Sequence, residues 1–236
     1  MLKKSLTLFI SGWGFRADLI KESSCYCSDF TLIDLPHLNE LTLDLIVKRL
    51  VMNITNGSII IGWSLGGLIA IKLASLFPKK VRKLILLSSS PRFAKDKGWK
   101  GIRKNEAIKF LNLAKNNITC LFDYFLFLVN YPNTTVYYKT LLIKHSIDWQ
   151  ANKSYLIKYL EILFSIDIRE LYRSIEIPIL YLIGEKDAIV QLNAEKLMRL
   201  NNRTKIYSIS KGGHMIFISH EAECREQLTQ FINDDE

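Results

Sequence analysis

Gly57-Ser58-Ile59-Ile60-Ile61-Gly62-Trp63-Ser64-Leu65-Gly66-Gly67 joins an apolar, β-branched run to a G-x-S-x-G pentapeptide at Gly62–Gly66. A strand that ends in a strained turn into a helix lifts a serine oxygen out of a sheet, and glycines two positions either side admit backbone where a Cβ would clash. The pentapeptide alone is common in loops, so its flanks decide its weight. Leu68–Phe77 carries apolar residues at helical spacing with small ones on the side that would touch a sheet, and Pro78 closes the run. Strand, turn and helix stand in the order that a nucleophile elbow requires, which makes Ser64 the candidate nucleophile.

Outward from the elbow, short apolar runs recur at Ser5–Ile10, Phe30–Ile33, Val81–Leu87, Ile177–Gly184 and Thr204–Ile209, mostly separated by helical segments. That alternation predicts an α/β fold with a mainly parallel sheet flanked by crossover helices. It stops between Pro91 and Glu176, where Asn105–Asn116, Cys120–Val129, Val136–Lys144 and Lys153–Phe164 show helical periodicity and no convincing strand. The expected organisation is a core of residues 1–90 and 177–236 with a helical cap, 91–176, inserted between sheet strands. Open α/β sheets place ligands at the carboxyl edge of their strands, so the cap should roof the site.

A chain of 236 residues can bury a full core without disulfide help. Its densest apolar stretch, Leu121–Val129, is interrupted by Asp123 and falls short of a bilayer span. Met1–Ile10 has a basic start, but its apolar part is short and runs into Ser11-Gly-Trp-Gly without a small-residue cleavage site, so it reads as a first strand. Cys25, Cys27, Cys120 and Cys224 lack zinc-ligand spacing and read as free thiols of a cytoplasmic protein. The sequons at Asn53, Asn117, Asn133 and Asn202 follow from an Asn-rich composition. No metal or other cofactor is expected.

The formal net charge of +9 is uneven: Pro91–Glu176 holds 14 basic and 8 acidic residues, a net +6 that leaves +3 for the rest. Such a surface would steer an acidic macromolecular partner onto the cap. Nucleic acid is disfavoured, because no groove-reading or base-stacking module accompanies the charge.

A serine hydroxyl needs an imidazole to take its proton and a carboxylate to orient that imidazole, and in this fold class the chain order is Ser, Asp or Glu, His. Of His37, His145, His214 and His220, His214 is placed best, in the Gly-rich Lys211-Gly-Gly-His-Met215 after the last apolar strand. The acid should follow Ile179–Gly184. Asp187 is favoured because Gly184 opens a turn that can aim it back, with Glu185 as the rival. The oxyanion of a tetrahedral intermediate needs two backbone N–H donors, for which Leu65, after the nucleophile, and Trp13, in the loop after the first strand, are placed.

At this point Ser11-Gly-Trp-Gly14, Ile33-Asp-Leu-Pro36, Gly62-Trp-Ser-Leu-Gly-Gly67, Ser89-Ser-Pro-Arg-Phe93, Gly184–Asp187 and Gly213-His-Met-Ile-Phe-Ile-Ser-His220 resemble the pimeloyl-acyl carrier protein methyl ester carboxylesterases of biotin synthesis, within the α/β-hydrolase superfamily. The resemblance implies Ser64, Asp187 and His214 as catalytic residues. It also implies substrate contacts from Trp13 and Leu65 and from Phe125, Leu126, Phe127, Leu128 and Val129. It implies hydrolysis of the carrier-bound pimeloyl methyl ester to release methanol, with the acidic acyl carrier protein as partner of a monomeric enzyme. A general short-chain carboxylesterase or thioesterase of the same fold is the alternative. Ser11 stands where the family carries His, the glycine turn after Leu35-Pro36 is missing, and the chain opens without leading strands. The family's cap arginines have only Lys139, Lys144 and Lys153 as loose counterparts.

Overall fold

A computed structural model describes residues 6–27, 29–38 and 40–234. Its strands are β1 (Thr7–Ile10), β2 (Phe30–Ile33), β3 (Ser58–Trp63), β4 (Val81–Leu87), β5 (Ile179–Gly184) and β6 (Thr204–Ile209), all paired in parallel in the order β2-β1-β3-β4-β5-β6. β1 and β3 are buried throughout, which is why they read as continuous apolar runs rather than alternating ones. Of the expected first strand, Ser5 lies outside the described residues.

Parallel neighbours need a crossover, and helices supply it. A 3₁₀ helix (Ala17–Glu22) follows β1, α1 (Leu43–Val51) lies between β2 and β3, and α2 (Leu65–Leu76) follows β3. Between β4 and β5 come α3 (Lys104–Asn116), α4 (Ile118–Asn130), α5 (Val136–Lys144), α6 (Lys153–Ser165) and α7 (Arg169–Arg173). After β5 come α8 (Ala194–Leu200), α9 (Ile216–Ser219) and α10 (Glu221–Asn233). Thr42 caps α1, Asn117 caps α4 and Asn193 caps α8 by accepting a backbone N–H, satisfying donors that helix starts leave orphaned.

Registers align the carboxyl ends of the strands: Ile10 lies beside Gly62, Trp63 beside Leu87 and Gly184 beside Ile209. The loops that leave those ends therefore gather at one edge of the sheet. They contain Ser11–Phe15, Ser64, Glu185–Asp187 and Ser210–His214, the segments that bear the candidate chemistry.

Candidate active site

Ser64 takes φ 54° and ψ −120°, a conformation that L-residues avoid at a cost on the order of 1–3 kcal/mol. Its surroundings leave it no alternative. Its N–H donates to the Leu87 carbonyl at 2.9 Å, while its carbonyl accepts the Gly67 N–H at 3.0 Å and the Ser89 hydroxyl at 2.7 Å. A Cβ on Gly62 would stand 2.5 Å from Gly67 Cα, and one on Gly66 would stand 2.4 Å from the carbonyl oxygens of both Ile10 and Ser11. The second approach locks the elbow against the end of β1. Leu65 is the first residue of α2, so its N–H has no partner within the helix.

His214 and Asp187 come together although 27 residues separate them: His214 Nδ1 lies 2.9 Å from Asp187 Oδ2, with both side chains buried. Asp187 is held in turn by the Ile189 and Val190 N–H groups, which donate to its Oδ1 at 2.8 and 2.9 Å. The loops are joined by backbone as well, the Lys186 N–H donating to the Gly212 carbonyl at 2.8 Å. Glu185 points to solvent, so the rivalry between the two carboxylates is decided by the direction of the turn. With Nδ1 directed at the carboxylate, His214 Nε2 is left over; it is buried and has no hydrogen-bond partner among the described residues. Among the described residues Ser64 and His214 share no hydrogen bond, a contact that catalytic pairs often tighten only with substrate.

Trp63 links the two. Its indole N–H donates to the His214 carbonyl at 3.0 Å, and its ring lies 5.6 Å from the imidazole and 5.2 Å from Phe217. The residue before Ser64 thus holds the loop of His214, a role that G-x-S-x-G leaves unspecified. None of the other histidines bonds Ser64 or Asp187: His37 is exposed against Tyr155, His145 ends α5, and His220 starts α10 with its ring bonded to Ser219.

Trp13 is buried. Its indole N–H donates to the Leu156 carbonyl of α6 at 3.0 Å, and its ring meets Phe125 at 4.8 Å and Trp149 at 4.6 Å, edge to face. Among the described residues no backbone carbonyl takes its amide hydrogen, which leaves that N–H available as a donor. The five consecutive residues expected at the substrate divide by helical geometry, because α4 turns about 100° per residue. Phe125, Leu126 and Val129 are buried and Leu128 is half-buried, but Phe127 is 63% exposed on the outer face beside Tyr131. The structure does not bring Phe127 to the site. Sequence reading also missed Trp149, whose indole N–H donates to the Gly14 carbonyl at 3.2 Å. It carries no motif, and only its aromatic bulk hinted at a packing role.

Parallel sheet, strained serine elbow and buried His–Asp pair define a class. The chain belongs to the alpha/beta hydrolase family, whose model matches residues 8–227. Among curated proteins it is similar to the pimeloyl-[acyl-carrier protein] methyl ester esterase of Aliivibrio fischeri, 31% identical over 96% of this chain and 82% of the relative. The protein of the same name from Wigglesworthia glossinidia brevipalpis is 33% identical over 90% of this chain and 88% of its own. Solved structures share the fold: an esterase from Exiguobacterium antarcticum superposes with TM-score 0.79 at 17% identity, covering 98% of this chain and 92% of its own. A bromoperoxidase from Bacillus anthracis gives 0.80 at 15%, covering 98% and 93%. No helix among the described residues is long and apolar enough to cross a membrane.

Proposed function

We propose that this chain is a serine carboxylesterase that hydrolyses the methyl ester of a pimeloyl group borne by acyl carrier protein. The observation that carries the reading is the buried His214–Asp187 pair, tied through Trp63 to the strained elbow at Ser64. His214 Nε2 takes the Ser64 proton as the hydroxyl attacks the ester carbonyl, and the Leu65 and Trp13 N–H groups hold the oxyanion. His214 then protonates the leaving methoxide. Water, deprotonated by the same nitrogen, releases the acid.

The pimeloyl specificity is supported by the names of the relatives, which match over nearly the whole chain. The helical segment 91–176 acts in this reading as the cap, with Phe125, Leu126 and Val129 beside Trp13 as the wall for the acyl chain. An acidic carrier is supported by the basic excess next to the Asp187 loop, where Lys95, Lys100 and Arg103, against the single acid Glu106, line a cleft of about 300 Å³ with Ala188 and Ile189.

Three experiments test this. Ser64→Ala lowers kcat/KM on a short p-nitrophenyl ester by more than about 10⁴-fold and abolishes fluorophosphonate labelling; retention of full activity refutes the nucleophile. Carrier-bound pimeloyl methyl ester is hydrolysed faster than the same ester free of protein, and equal rates refute carrier recognition. A general short-chain esterase fails to restore growth without biotin to a bacterium lacking its own methyl esterase.

A further inference from the structure

The loop that offers the Trp13 amide is held from outside the core. The Arg16 N–H donates to the His145 carbonyl at 2.8 Å, and the Ile147 N–H donates to the Gly14 carbonyl at 3.1 Å, so that residues 14–16 pair like a short strand with 145–147. The Arg16 guanidinium adds bonds to the Lys144 and Ser146 carbonyls at 2.8 and 3.4 Å. Behind this pairing lies the His145 ring, only 5% exposed. Its Nδ1 lies 2.8 Å from Asp18 Oδ1 and its Nε2 2.7 Å from Glu22 Oε1, both in the 3₁₀ helix that continues from the loop. Lys144 also meets Glu22, at 2.7 Å, and Arg16 meets Asp18 at 3.4 Å. The ring thus bridges two carboxylates of one helix, one at each nitrogen.

We infer that His145 is a positioning residue for ester hydrolysis: by clamping Asp18 and Glu22 it holds α5 against the Gly12–Arg16 segment and so fixes the Trp13 amide over Ser64. The inference rests on the oxyanion role proposed for that amide. A misplacement of about 1 Å in such a donor costs up to about 10²-fold in rate, whereas ground-state binding of a small ester does not use it. The clamp therefore acts on kcat.

The test is kcat and KM on p-nitrophenyl acetate for the full chain, His145→Ala and His145→Gln, with amide hydrogen exchange of residues 12–16. His145→Ala should lose about ten- to a hundredfold in kcat with KM changed by less than about threefold, and residues 12–16 should exchange faster. His145→Gln, which keeps one N–H donor to a carboxylate, should fall between. If His145→Ala does not fold, His145→Gln and Glu22→Gln decide by the same criterion. Unchanged kcat in a folded variant overturns the inference. Should the unmodified protein hydrolyse no ester, the functional reading falls, and the exchange data then judge the clamp alone: acceleration confined to 12–16 and 144–149 upholds it, and unchanged exchange refutes it.

Discussion

Gly66→Ala places one methyl group where β1 and the elbow touch. The new Cβ would sit 2.4 Å from the carbonyl oxygens of Ile10 and Ser11, whereas ordinary contact begins near 3.4 Å. The shortfall is about 1 Å, and neither neighbour is a side chain that can rotate away. Ile10 is fully buried at the end of β1 and paired in register with Ile33 and Gly62, so the strain must separate the elbow from the loop that follows β1. Overpacking of this kind costs about 1–3 kcal/mol, which in a domain of this size lowers Tm by roughly 2–12 °C. Catalysis should suffer more than stability. The displacement lies between Ser64 and one proposed oxyanion donor, and a 1 Å error there costs on the order of 10²-fold in kcat. Steady-state hydrolysis of p-nitrophenyl acetate, with thermal unfolding followed by circular dichroism, reads both quantities. A variant that keeps more than half of kcat with an unchanged Tm would show that the elbow and the β1 loop are not mechanically coupled.

Asp187→Asn leaves an oxygen to accept the Ile189 and Val190 N–H groups but turns an amide donor toward His214, which favours the wrong tautomer. kcat should fall about 10⁴-fold with Tm changed by only a few degrees, measured on the same ester. Trp63→Phe removes the donor to the buried His214 carbonyl at a cost of about 1–3 kcal/mol, and both Tm and kcat should drop; an unchanged kcat would mean that the indole does not position the base. The Asp18 carboxyl, opposed by its own desolvation but bonded to His145 and near Arg16, is held below its ordinary value of 3.8. Bonds from Lys144 and then His145 hold Glu22 below 4.5. A carboxylate lowered on folding stabilises fully above its unfolded value and loses that contribution as pH falls through the lower folded one. The Tm advantage of the unmodified protein over His145→Gln should therefore shrink on acidification from about pH 5 to below about pH 4; an advantage that persists at pH 2 would contradict the ion-pair origin.

What the amino-acid order determined was everything written in short-range pattern. Buried parallel strands read as apolar runs, the elbow read from two glycines around Ser64, and α3 to α6 emerged within a residue or two because periodicity is local, whereas the five-residue α7 is too short to show a period and goes unread. The outward face of Phe127 is misread when the five residues Phe125–Val129 are grouped together, because a helix that repeats near four turns Phe127 away from Phe125 and Val129. Choices between neighbours and contacts across the chain needed the tertiary structure. Asp187 and Glu185 differ by two positions, and only the turn after β5, braced against the His214 loop, decides which one meets the imidazole. Trp63 holds the loop of a histidine 151 residues away. His145 reads as an unremarked residue of the insertion until folding sets Asp18 and Glu22 against both of its nitrogens. Local pattern records which face is apolar, because burial repeats with the backbone; it carries no record of which polar groups meet, because those distances are set by how separate elements pack.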